Sequence, residues 1–248
     1  MNVWIYSIPS VILVSAISLV GVLTLALSQD RLKKMTFILV SFAVGALLGD
    51  AFIHLIPETF EELGVNLLSS VYIVVGILLF FIMEKFIRWR HCHIPTSAEH
   101  VHPVVTMNLL GDAVHNLMDG LMIGASYIAS IPIGIATTLA VILHEIPQEI
   151  GDFGVLVHGG LPVKKALAFN LLSALTAIVG TIISLVIGPH VQGYTMALLP
   201  MTAGGFIYIA SADLIPELQH DVKVSTSLLQ FALIVFGVGI MALLVLIE

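Results

Sequence analysis

Apolar residues run along this chain in eight stretches of about twenty residues, parted by short polar connections: 8–27, 37–56, 67–87, 104–128, 133–157, 166–187, 194–215 and 228–247. Each is long enough to cross roughly 30 Å of hydrocarbon at about 1.5 Å per residue. The pattern predicts an all-α integral membrane protein with eight transmembrane helices in one domain covering 1–248. Composition agrees, since 58% of the chain is apolar and 10% charged. With a mean hydropathy of +1.09 it lacks the charged surface of a soluble domain. Cys92 is the single cysteine, so no internal disulfide forms.

Charge position orients the spans. The nine Lys and Arg residues all lie beside alternate connections: Arg31, Lys33 and Lys34 after span 1, Lys85, Arg88 and Arg90 at the end of span 3, Lys164 and Lys165 after span 5, and Lys223 after span 7. By the positive-inside rule these connections are cytoplasmic, and both termini lie outside a multi-pass cell (inner) membrane.

Two segments read alike. Gly45-Ala-Leu-Leu-Gly-Asp-Ala-Phe-Ile-His-Leu-Ile-Pro-Glu58 in span 2 and Gly204-Gly-Phe-Ile-Tyr-Ile-Ala-Ser-Ala-Asp-Leu-Ile-Pro-Glu217 in span 7 agree at six of fourteen positions. The predicted topology makes them antiparallel, the mark of an inverted repeat with a substrate site at its interface. Pairing spans 1–3 with 6–8 leaves spans 4 and 5 in the middle, a 3+2+3 arrangement.

Those two spans hold the densest polar chemistry. Asp112, His115, Asn116 and Asp119 fall on a stripe of span 4 roughly 100° wide. His144, Glu145, Gln148, Glu149 and Asp152 occupy roughly 140° of span 5. Ionisable groups inside a bilayer are costly and usually functional. Imidazoles with carboxylates and amides suit a transition metal, and nothing here is soft enough to demand zinc. Mutual pairing to hold the bundle together is the plainer alternative, but packing alone does not need nine polar groups facing one way. Pro147 removes a backbone hydrogen bond next to His144, which predicts a bend and a freed Leu143 carbonyl.

Other groups sit along the route. His54 and Glu58 lie toward the outer end of span 2, and Asp213 and Glu217 at the inner end of span 7, as entrance and exit candidates or as helix caps. His158 and His220 lie where they could assist release. His91, His93, His100 and His102 in the connection after span 3 suit a metal sensor or buffer, or are solvated loop histidines.

The segments His115-Asn-Leu-Met-Asp119-Gly120 and His144-Glu-Ile-Pro-Gln-Glu-Ile-Gly-Asp-Phe153 resemble the span 4 and span 5 motifs of the ZIP zinc and iron transporters, and the resemblance covers the whole chain. It implies uptake of a divalent metal, Zn²⁺ before Fe²⁺, Mn²⁺, Cd²⁺ or Co²⁺, through a two-metal centre. By it His115, Asp119, His144 and Gln148 hold one ion, and Asn116, Asp119, Glu145 and Glu149 the other. Asp50 and His54 match positions that line the route or complete the first site. It also implies a homodimer, and alternating access with spans 1, 4, 5 and 6 moving against the rest. Gln148 departs from the motif, which has His or Glu there. Two further readings remain: an intramembrane zinc metallohydrolase built on His144-Glu-Ile-Pro-Gln148, in which Gln148 replaces the second His of H-E-x-x-H, and a metal sensor that does not transport.

Overall fold

The computed structural model describes residues 2–24, 28–88, 103–158, 160–219 and 223–244, and among them every regular element is helical. Eight long helical rods succeed one another. The first, α1 (4–24), is interrupted by a 3₁₀ turn at Ser18–Val20. The second, α2 (29–63), runs Gln29–Gly49, passes through a π-helical turn at Asp50–Leu55 and ends in Ile56–Leu63. Then come α3 (Leu67–Arg88), α4 (Pro103–Ala129) and α5 (Ile131–His158). Next is α6 (163–190), two helical halves joined at Leu175 and closed by a 3₁₀ turn. The last two are α7 (194–218), with a π-helical turn at Ile209–Leu214, and α8 (Val224–Leu244).

Six of these segments are long and apolar enough to cross a membrane: Thr36–Leu63, Leu67–Lys85, Ile131–Val157, Val163–His190, Tyr194–Ala212 and Val224–Leu244. The apolar part of α1, Trp4–Val20, is shorter. The remaining rod, α4, falls short because Asn108, Asp112, His115, Asn116 and Asp119 interrupt its apolar surface. The helix α2 extends beyond its expected bounds of 37–56 at both ends, since Gln29–Thr36 and Pro57–Leu63 are too polar to register as apolar run yet continue the helix. Pro147 does not break α5, which is helical on both sides of it.

Packing sorts the rods into two groups. The first joins α1, α4, α5 and α6, with the most extensive contact between α4 and α6. Thr176, Thr181 and Ser184 of α6 donate hydrogen bonds to the α4 carbonyls of Ala113, Gly120 and Leu121 at 2.6, 3.0 and 3.1 Å. Ser15 of α1 donates to Ala174 of α6 at 2.8 Å. The second group joins α2 to α8 and α3 to α7. Between the groups, α2 lies along α5, and Thr137 donates to Asp50 at 3.1 Å.

The repeat read from fourteen positions extends into this packing. Under the same alignment the π-helical turns of α2 and α7 coincide, each leading into Ile-Pro. A Cβ on Gly45 would lie 2.1 Å from the Ile234 carbonyl oxygen of α8, and one on Gly204 2.0 Å from that of Ile73 in α3. The reciprocal contacts match as well. Gly237 sits against the Phe42 carbonyl and Gly76 against that of Met201, the position aligned with Phe42. Only glycine lets two backbones approach this closely.

Gly204→Ala and Gly45→Ala are therefore expected to force α7 from α3 and α2 from α8, at about 1–3 kcal/mol or more each. Thermal unfolding in detergent checks this, with Gly151→Ala as control because a Cβ there meets nothing within 4 Å.

Candidate metal centre

The polar stripes of α4 and α5 face each other because these helices pack side by side and both bury that face. Four residues meet: ligand atoms of His115, Asp119, His144 and Glu145 all lie within 4.8 Å of one another. His144 Nε2 is 3.2 Å from Asp119 Oδ2 and 3.6 Å from Glu145 Oε1. His115 Nε2 is 3.4 Å from Glu145 Oε1, 3.8 Å from Asp119 Oδ2 and 3.4 Å from His144 Nε2. Tetrahedral zinc with bonds of about 2.0–2.1 Å needs ligand atoms about 3.3 Å apart. The two nitrogens and two oxygens are already near that spacing.

Neighbours prepare each ligand. His144 Nδ1 lies 3.1 Å from the Ala140 carbonyl, so it carries the proton and donates it there, leaving the Nε2 lone pair for a cation. The rings of Phe80 and Phe206 stand edge-on to His115 and His144 at 6.0 and 6.1 Å, walling them without competing for a lone pair. Both carboxylate oxygens of Asp119, and Glu145 Oε1, are buried with no hydrogen-bond partner. A buried carboxylate oxygen left this way asks for a cation or a proton.

The other expected residues fall around this cluster. Asn116 donates to Asp112 Oδ1 at 2.8 Å and to the Asp112 carbonyl at 3.2 Å. Glu149 is buried and accepts a hydrogen bond from Asn170, whose amide also donates to the Ser18 carbonyl at 3.1 Å. Asp112 also accepts a bond from Ser173. Gln148 and Asp152, both half-buried, line the wall of an adjoining cavity. Asp50 and His54 are brought to each other at 3.2 Å, and to Thr137, inside the π turn of α2. Glu58 is half-buried on the last stretch of α2. The side chains of His158, Asp213 and Glu217, and residues His220, His91, His93, His100 and His102, lie outside the described residues.

Sequence reading missed Asn170 and Ser173. They sit in a span with no ionisable residue, and their one signal is an amide and a hydroxyl inside an otherwise apolar run.

The cavity measures about 1690 Å³ and reaches from His115 and His144 to Lys34, Thr36, Glu84, Ser225 and Thr226. Every residue lining it except His144, at the midpoint of α5, belongs to one half of its helix, the half that ends at a basic connection. On the other side of the cluster Leu47, Ile123, Ala140, Leu199, Ala203 and Phe206 close into a buried apolar core.

The family model for the ZIP zinc transporters matches residues 1–105 and 90–245. This chain belongs to that family. It is 33% identical to zinc transporter zipt-7.1 of Caenorhabditis briggsae, across all of this chain and 80% of the relative. It is 29% identical to zinc transporter SLC39A7 of Rattus norvegicus, across 98% of this chain and 72% of the relative. Zinc transporter ZIP10 of Homo sapiens is 35% identical across 65% of this chain and 22% of its own length. The relatives are named as transporters, and the ZIP family is one of transporters rather than enzymes, which disposes of the metallohydrolase reading of His144-Glu-Ile-Pro-Gln148.

Zinc binding to purified protein should weaken as pH falls, because protons compete for the same imidazole and carboxylate lone pairs. His144→Ala should lower affinity by more than the roughly 10- to 100-fold typical of a supporting residue. Titration calorimetry at several pH values checks both; an affinity independent of pH and of His144 would remove these groups from the binding site.

Proposed function

We propose that this chain carries divalent transition metal, zinc foremost, across the membrane into the cytoplasm by alternating access. The observation that carries this reading is the four-residue cluster beside a cavity that its two histidines line and that extends from them toward the basic connections. A ligand set that binds a cation and communicates with one face at a time is what a carrier needs.

In this reading all eight rods span the bilayer, with the basic connections in the cytoplasm and both termini outside. Family membership supports metal as the cargo, and the names of the relatives support zinc. Two imidazoles with two carboxylates suit zinc and leave room for iron, manganese or cobalt. The cavity then opens inward, and the state described is inward-facing. Spans 1–3 and 6–8 form an inverted repeat, which the matching π turns and glycine contacts of α2 and α7 support. The moving unit is α1, α4, α5 and α6, supported by the hydroxyl bonds that tie α6 to α4.

We assign His115, Asp119, His144 and Glu145 to the first metal, supported by the closeness of their ligand atoms, with Gln148 beside them on the cavity wall. Asn116 and Glu149, beside the shared carboxylates, remain the ligands of a second ion. Gln148, Asp112 and Asp152 line the way to the cytoplasm. Asp50 and His54 are the entrance, with Glu58 outside them, and Asp213 and Glu217 the exit.

The test is zinc uptake into proteoliposomes with an internal zinc dye. Parent protein should fill the vesicles above the empty-liposome rate, and His115→Ala and His144→Ala should fall to background. In a Cys92→Ser background, Val155→Cys on the cavity wall should react with a membrane-impermeant thiol reagent from the cytoplasmic face alone. Uptake unchanged by both histidine variants, or labelling from the outer face, would sink the proposal. Bound zinc without uptake would favour the sensor.

A further inference from the structure

The buried network around Asp112 has a direction. Asp112 is 5% exposed, Ser173 5% and Asn116 1%, so all three are buried, with Asp112 at the edge of the cavity. The Asn116 amide faces two groups of Asp112, the Oδ1 carboxylate oxygen at 2.8 Å and the main-chain carbonyl at 3.2 Å. Both are acceptors, so the nitrogen of the amide must be the end turned toward them. Its carbonyl oxygen is then forced to the other end, and there it is buried with no hydrogen-bond partner. The remaining oxygen of Asp112 is held by the Ser173 hydroxyl from α6.

We propose that Asp112, anchored by Ser173, is a positioning residue that turns the Asn116 amide so that its carbonyl oxygen is presented to a metal ion. This rests on the assignment of Asn116 as a ligand of the second ion, and it gives Asp112 a different task from that of a stepping stone for the cation. Both Asp112 carboxylate oxygens are already engaged, one by Asn116 and one by Ser173. Supporting carboxylates of this kind fix the orientation of a ligand, and their loss costs about 10- to 100-fold in metal affinity.

The two tasks separate on charge. In Asp112→Asn the new carbonyl still accepts from Asn116, and the new amide donates to Ser173. The Ser173 hydroxyl can turn its proton to the Asn170 carbonyl, 2.9 Å away. Geometry survives while the charge is lost. A cation relay needs the charge; an orienting acceptor does not.

The experiment measures zinc affinity and stoichiometry by calorimetry, and uptake in proteoliposomes, for Asp112→Asn, Asp112→Leu, Ser173→Ala, Asn116→Ala and the double variant Asp112→Leu with Asn116→Ala. Asp112→Asn should stay within about twofold of the parent, the spread expected of independent effects. Asp112→Leu should weaken zinc by about 10- to 100-fold, and it should add nothing to Asn116→Ala. Ser173→Ala should act in the same direction and also vanish in the Asn116→Ala background, which keeps the test intact if the leucine variant fails to fold. The proposal is overturned if Asp112→Asn is as damaging as Asp112→Leu, or if the Asp112 and Asn116 effects add. Should Asn116→Ala itself bind and transport like the parent, the assignment of Asn116 falls, and the positioning role with it.

Discussion

Two carboxylates and two imidazoles held within 4.8 Å of one another inside an apolar bundle cannot stand without a cation or protons among them. Much of the architecture comes from bringing them together. Two helices must run side by side with polar faces inward, so α4 and α5 give up apolar surface that a membrane segment ordinarily keeps. The loss is large enough that α4 fails a simple measure of membrane-crossing helices although it is as long as its neighbours. Its other faces must compensate. Gly120 and Gly180 bring α4 and α6 into backbone contact, and three α6 hydroxyls bond to α4 carbonyls. The helix that gives up the most apolar character is thus held tightly by its neighbour.

The same constraint separates the two helix groups. Contacts within each include close glycine approaches, and in the first group hydroxyl–carbonyl bonds between helices, which tolerate little displacement. Between them the contacts are mostly apolar side chains, with Thr137–Asp50 and Tyr194–Ser184 as two polar exceptions. An apolar seam can slide without leaving a polar group unpaired, whereas a zipper of hydroxyls cannot. The π-helical turns at Asp50–Leu55 and Ile209–Leu214 both lie in the group without the cluster, and both end in Ile-Pro. A π turn carries an extra residue per turn and rotates the helix beyond it. In α2 the turn holds Asp50 and His54, 3.2 Å apart, beside α5.

How much of this was legible depended on whether a signal was periodic. The apolar runs gave the eight rods, because a helix of that composition has few other options. The stripe formed by Asp112, His115, Asn116 and Asp119 gave the face of α4 that is buried, because charges at that spacing share a side. The ends of α2 were missed, since polar residues continue a helix without marking it. Nor could the pairing of stripes across helices be resolved to individual atoms. Glu145 comes within 3.4 and 3.6 Å of the two histidines, while Gln148 lines the same cavity wall as they do, and the shared arc of α5 did not say which would approach them more closely. Asn170 and Ser173 were invisible for another reason. Their role is to hold carboxylates on other helices, and no pattern within α6 announces a partner in α4 or α5.

The position of Gln148 bears on the chemistry of the site. Had a histidine or glutamate stood there, the cavity wall next to the cluster would offer a strong ligand on the way out. A neutral amide is a weak one. In the proposed carrier, a cation leaving the two nitrogens and two oxygens would therefore step from a four-atom cage to a wall of amides and a carboxylate, Gln148, Asn108 and Asp152, that lines a cavity of about 1690 Å³. Tight binding and fast release oppose each other in any carrier, since the same contacts that hold an ion set its rate of escape. Weakening the ligand just beyond the cage lowers the barrier to release without loosening the cage itself. Under the proposed transport, Gln148 is then a departure from the family motif that would ease the exit.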